Sequence, residues 1–138
     1  MQPDRRSTAA AWRAGAAQDL RIALLLAENE ANAACFHAQQ SAEKALKCAL
    51  VFAVDDVPRS HVGTTMLDEL ARAGFSASED VRDAVRVLDR YYAPTRYPDA
   101  VGDIDPSRLY TVKDSMAAIE FARCVIAFCD EIEAATKP

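Results

Sequence analysis

Between positions 38 and 47 the chain reads Ala38-Gln39-Gln40-Ser41-Ala42-Glu43-Lys44-Ala45-Leu46-Lys47. Gln39 with Glu43, Gln40 with Lys44 and Glu43 with Lys47 are i,i+4 pairs, neighbours on a helix surface. One reading is a solvated face steadied by a Glu→Lys pair. The other is a polar strip in a groove, where ammonium groups meet phosphate and amides meet a base or a partner's backbone.

A second cluster is Tyr91-Tyr92-Ala93-Pro94-Thr95-Arg96-Tyr97-Pro98-Asp99. Its two prolines stiffen the loop at low entropic cost and fix where Arg96, Tyr97 and Asp99 point. A rigid aromatic beside an arginine suits base stacking and bidentate phosphate contact. Alternatively, Tyr97 covers the end of the fold while Arg96 and Asp99 pair locally. Arg82, Arg86 and Arg90 also recur every four residues. Like charges at this spacing repel mildly. Glu79, Asp83 and Asp89 can neutralise them as a mixed-charge edge, or the stripe is an electropositive approach to Arg96.

The two histidines, His37 and His61, belong to no H-x-x-x-H, H-E-x-x-H or Cys/His spacing, so no metal is expected. His61, in a loop, reads first as a hydrogen-bonded turn residue and second as an acid–base group. There is no Gly-rich phosphate loop and no G-x-S-x-G elbow, and no cofactor is expected.

These groups need a scaffold, and the apolar pattern supplies a helical one. Glycines and prolines fall in clumps, and the intervals between them repeat at 3.6 residues rather than 2. The pattern predicts helices over about 8–29, 31–54, 64–73, from Ser76 or Ser78 to before Pro94, and about 110–134. The short junction Glu30-Ala31-Asn32 makes the first two antiparallel neighbours. The second helix shows a face of mostly alanine, which lets a neighbour approach closely. The last helix carries two apolar stripes, Val112, Met116, Ile119, Ala122, Ile126 and Cys129 on one, Ala118, Phe121, Val125, Phe128 and Ile132 on the other. A surface helix needs one stripe, so the second predicts a partner chain, with Ile22, Leu25 and Leu26 of the first helix as possible sharers. The expected fold is all-α, an up-and-down bundle of four long helices plus one short helix. It forms one domain over residues 1–138 with its core at about 8–134.

A chain of 138 residues with 51% apolar and 27% charged residues is an ordinary globular domain. Its net charge of −5 argues against coating a long nucleic acid, while leaving room for a local basic pocket. The four cysteines form no C-x-x-C pair and read as buried apolar residues in a reducing compartment. No apolar run approaches the roughly 18 residues of a membrane span, and no leader follows Met1, so a cytoplasmic protein is expected.

The residues that carry the site also carry a resemblance. Trp12, Asp19-Leu20, the run Phe36-His37-Ala38-Gln39-Gln40-Ser41-Ala42-Glu43-Lys44-Ala45-Leu46-Lys47, Pro58, Ser60-His61, Leu88, Tyr91-Tyr92, Thr95-Arg96-Tyr97-Pro98-Asp99 and Tyr110 resemble the HEPN family, the higher eukaryotes and prokaryotes nucleotide-binding domain. The match runs from about Trp12 to Phe128, in the prokaryotic stand-alone form. The resemblance implies a helical bundle that commonly dimerises and pairs with a minimal nucleotidyltransferase, as in toxin–antitoxin systems. Some members are metal-independent ribonucleases with an R-x4–6-H motif. Here the chain departs. After Arg96 the positions for that histidine hold Val101, Gly102 and Asp103, and neither His37 nor His61 has an arginine at the required distance before it. The base that would activate a ribose 2′-hydroxyl is missing from that motif.

The resemblance and the side-chain chemistry together imply a nucleotide-binding or regulatory protein, not catalytic itself, acting with a nucleotidyltransferase. Lys44, Lys47 and Arg96 would hold phosphate, Tyr97 would stack, and His61 and Asp99 would orient them. One alternative is a ribonuclease toxin with His61 and Arg96 as relocated catalytic groups, with RNA as its partner. The other is a dimeric scaffold that binds no ligand.

Overall fold

The computed structural model describes residues 4–55 and 59–136; Pro58, one of the residues carrying the resemblance, lies outside them. The described residues form α1 (Arg5–Leu26), α2 (Ala31–Val54), α3 (Gly63–Arg72), α4 (Glu79–Asp89) and α5 (Val112–Thr136), with 3-10 turns at Pro98–Val101 and Pro106–Arg108 and no strand. No described helix is long and apolar enough to cross a membrane.

Local chemistry sets the boundaries. The Asp4 carboxylate accepts from the Ser7 amide at 2.8 Å and opens α1 ahead of the expected Thr8; that amide holds the Asp4 carboxyl below its ordinary pKa. α2 keeps its predicted limits and ends on Asp55 in the left-handed conformation. Ser78 caps α4 through the Val81 amide, as one of the two expected starts. α3 departs from expectation: its cap is neither Thr64 nor Thr65 but the distant Asp89. That carboxylate accepts from the Gly63 and Thr64 amides at 2.7 and 3.1 Å.

α2 is the central helix, with α1 and α5 packed along it and α3 and α4 closing another side. Its buried alanines, Ala34, Ala38, Ala42, Ala45 and Ala49, allow that many neighbours to approach. Two buried hydroxyls tie the layers: Ser41 donates to the Ala16 carbonyl and Ser115 to the Ala27 carbonyl, both at 2.7 Å. The segment after α4 is pinned by Thr95. Its hydroxyl donates to the Tyr91 carbonyl at 2.6 Å, and its own carbonyl accepts from the Asn32 side chain at 3.0 Å.

The expectation that one stripe of α5 faces outward for a partner does not hold. Ala118, Val125, Phe128 and Ile132 are buried within the chain, as are Ile119, Ala122 and Cys129 of the other stripe. α5 lies against both α2 and α4, and the two neighbours use both stripes. Only the start of the first stripe, Val112 and Met116, stays exposed, and among the other exposed apolar side chains are Leu24 and Leu25 on α1. The four cysteines are free thiols, three of them buried.

Candidate functional site

Gln39, Glu43 and Lys47 stack one turn apart on α2, and all three are buried. The Gln39 amide donates to Glu43 Oε1 at 3.3 Å, and the Lys47 ammonium lies 3.2 Å from Oε2. Gln40 in turn donates to Gln39 Oε1 at 2.9 Å. Lys47 also sits 5.0 Å from the centroid of the Trp12 ring, which lids it. Only 6% of Lys47 is exposed, so its charge is spent inside the protein and not on a solvated face.

Lys44 turns the other way, to α1. Its ammonium lies 2.6 Å from Asp19 Oδ2, outside aligned hydrogen-bond geometry, and His37 Nδ1 lies 2.8 Å from Oδ1. Asp19 is itself buried, at 6% exposure. The Lys44 stem crosses α1 at Gly15, where a β-carbon would stand 3.0 Å from Lys44 Cδ.

His61 leaves the α2–α3 connection and places Nδ1 3.2 Å from both Glu43 oxygens, with its ring stacked on Tyr92 at 5.1 Å. The Asp89 bonds to Gly63 and Thr64 hold this connection down. Close packing there demands glycine, because a β-carbon on Gly63 would lie 2.7 Å from Val85 Cγ1.

Arg96 donates from Nε to the Tyr92 carbonyl at 3.0 Å. Its guanidinium carbon lies 4.2 Å from the Phe36 ring centroid and 4.8 Å from those of Tyr92 and Tyr97. Three rings thus cradle a cation that makes no ion pair among the described residues. The local pairing of Arg96 with Asp99 that the sequence allowed is not formed. Asp99 stands exposed in the Pro98–Val101 turn, and Tyr97 is half exposed over Arg96.

Of the six predicted residues, Arg96, Tyr97 and His61 converge around Tyr92. Lys47 joins them only through Glu43, Lys44 faces Asp19, and Asp99 is peripheral. Phe36, Tyr92 and the two buried carboxylates were not proposed as site residues. All lay in the quoted motif runs, but spacing gives no sign that Asp19 would reach Lys44 and His37 on another helix. The Arg82 and Arg86 stripe is neutralised: Arg82 pairs with Glu79 at 2.8 Å and Arg86 with Asp83 at 2.7 Å. The Arg82 hydrogen bond also holds the Glu79 carboxyl below its ordinary pKa. Arg82 and Arg86 thus form the mixed-charge edge, while Arg90 makes no ion pair among the described residues, because the expected Asp89 caps α3 instead.

A wide cleft of about 690 Å³ lies elsewhere, between the start of α1 and the ends of α2 and α5. Its Arg5 and Arg13 are already paired, with Asp55 and Glu133. No group of three or more His, Cys, Asp or Glu side chains suited to a metal occurs among the described residues.

A family model described as the HEPN domain matches residues 9–132. Among solved structures, the TT1696 protein of Thermus thermophilus superposes with a TM-score of 0.83 at 36% identity, covering 90% of this chain and 97% of that one. ST0689, described as an archaeal HEPN homologue, superposes with a TM-score of 0.72 at 28% identity, covering 94% and 98%. No curated protein matches the chain.

Proposed function

The chain belongs to the HEPN domain family, and from that premise we propose that it is a nucleotide-binding regulatory protein that acts with a minimal nucleotidyltransferase, as in a toxin–antitoxin pair, without catalysing a reaction itself. One observation carries the reading: Arg96 is a cation held by three aromatic rings, with no carboxylate among the described residues to neutralise it. A planar guanidinium fixed in this way suits an anionic oxygen pair such as a phosphate. The half-exposed Tyr97 offers a face for a base, and His61 stands on the far neighbour of the same ring cluster. Lys44 and Lys47 support this site by neutralising Asp19 and Glu43 beneath it rather than by meeting phosphate directly.

Millimolar nucleotide should raise the melting temperature, since a ligand bound only by the native state stabilises it by mass action. Arg96→Ala should abolish that shift. A variant that responds like the parent places the site elsewhere, and a parent that responds to no nucleotide favours the scaffold.

The ribonuclease reading keeps one supporting observation. Tyr92 brings His61 and Arg96, distant in sequence, against one ring. Cleavage of a short RNA by the purified chain, lost in His61→Ala, would favour it over the regulatory reading. As to assembly, the exposed Leu24, Leu25, Val112 and Met116 are the surface through which the chain would form a homodimer.

A further inference from the structure

Both histidines meet a buried carboxylate, and both do so through the same ring nitrogen. Around Glu43 stand the Gln39 amide and the Lys47 ammonium, both donors. Around Asp19 stands the Lys44 ammonium. An ionised carboxylate only accepts. The proton between carboxylate and imidazole therefore belongs to the ring, on Nδ1, in His37 and in His61 alike. A neutral imidazole protonated on Nδ1 has a bare lone pair on Nε2. Neither Nε2 has a hydrogen-bond partner among the described residues, and the two side chains are 27% and 53% exposed.

Both rings reach the neighbourhood of Arg96 through its aromatic cradle. His61 stacks on Tyr92 and His37 meets Phe36 edge-on at 5.3 Å, and Arg96 lies over both Tyr92 and Phe36. Each imidazole is thus one aromatic ring removed from the guanidinium. An anion on Arg96 would therefore have two imidazoles near it, each one ring away.

We propose that His37 and His61 are a pair of fixed acceptors that select a phosphate ester bearing free hydroxyl donors close to its phosphate, a ribonucleotide rather than its dideoxy analogue. The inference rests on the nucleotide reading above and adds what that reading lacks, a way to recognise the sugar. A second anionic oxygen facing either lone pair would be repelled, whereas a hydroxyl completes it. Ribose hydroxyls lie a few bonds from the phosphate; exocyclic amines lie at the far side of the base, beyond one ring's reach. Asp19 and Glu43 act through the imidazoles as positioning residues.

Adenosine 5′-monophosphate and its 2′,3′-dideoxy analogue, titrated calorimetrically against the full chain, provide the test. The ribonucleotide should bind about tenfold more tightly, the worth of one or two well-placed hydrogen bonds. His37→Ala and His61→Ala should each narrow that ratio. Nitrogen NMR of the unliganded parent should show both rings protonated on Nδ1, a readout that needs neither ligand nor variant. Equal affinities overturn the inference and leave the nucleotide reading standing, and absence of binding by either overturns both. A ring protonated on Nε2 instead overturns the inference whatever binds.

Discussion

The guanidinium of Arg96 lies over the ring of Phe36 at 4.2 Å, joining the loop after α4 to the partly exposed face of α2. Such a contact is worth roughly 0.5–2 kcal/mol, depending on how far it is desolvated. It also fixes the plane of the cation, which charge alone does not. Arg96→Lys should therefore keep the charge, lower stability by about 1 kcal/mol and lose most of the nucleotide-dependent rise in melting temperature. A lysine variant that responds as fully as the parent would show that the planar fork is dispensable.

Glu43 is the node of the buried ladder, and removing it strands Lys47 under Trp12. Breaking one side of a buried pair costs about 3–5 kcal/mol, so Glu43→Ala should lower the urea-unfolding free energy by that order. The double change Glu43→Leu with Lys47→Met should recover much of the loss, because an apolar pair leaves no stranded charge. Equal loss in single and double variants would sink this account.

Gly63→Ala should cost about 1–3 kcal/mol, the usual penalty of overpacking. Its β-carbon would stand 2.7 Å from Val85 Cγ1 and 2.9 Å from Asp89 Oδ1, the oxygen that caps α3. The relaxation should move the connection that carries His61. A chemical-shift change at His61 on this substitution would register it, and an unchanged His61 at full stability would argue that the turn yields freely.

Burial pushes the Cys35 thiol up to about 12 and holds Cys129 well above its ordinary 9.0. These thiols stay protonated in the folded chain where the unfolded chain ionises, so the native state binds more protons above pH 9. The stability they contribute is whole below that pH and is lost as pH rises toward 12, by up to about 1.4 kcal/mol per thiol per pH unit. Urea midpoints at about pH 8 and pH 10 should differ more for the parent than for Cys35→Ala with Cys129→Ala. Parallel losses would refute the assignment.

Light scattering on the eluting chain should give about twice its 15.0 kDa mass. Leu25, 81% exposed on α1, is the side chain to change: Leu25→Lys should yield a monomer with an unaltered melting curve in dilute solution. A parent that elutes as a monomer at tens of micromolar, on the order of the weaker specific affinities, would remove the dimer.

The sequence marks out the scaffold closely and the site in part. α2 begins and ends where its alanine-rich periodicity and the Glu30 junction place it, since both are local signals. The Arg96–Tyr97 turn was legible from its prolines. The partners of Lys44 and Lys47 were not. The i,i+4 register sees Glu43 beside Lys47 but cannot see Trp12 closing over the pair, or Asp19 drawing Lys44 across to α1. The two stripes of α5 misled for the same reason. A stripe records that a face is apolar, not whether α4 or another chain covers it.

The Asn32 side chain holds the Thr95 carbonyl, and Thr95 itself is buried between Tyr91 and the cation it precedes. The segment that carries Arg96 is thus clamped to the first turn of α2, the same helix that carries Phe36 and His37. Solvent exchange at the two should be governed by one opening event, so that the binding face is a single cooperative unit and not a loose loop laid beside a stable helix.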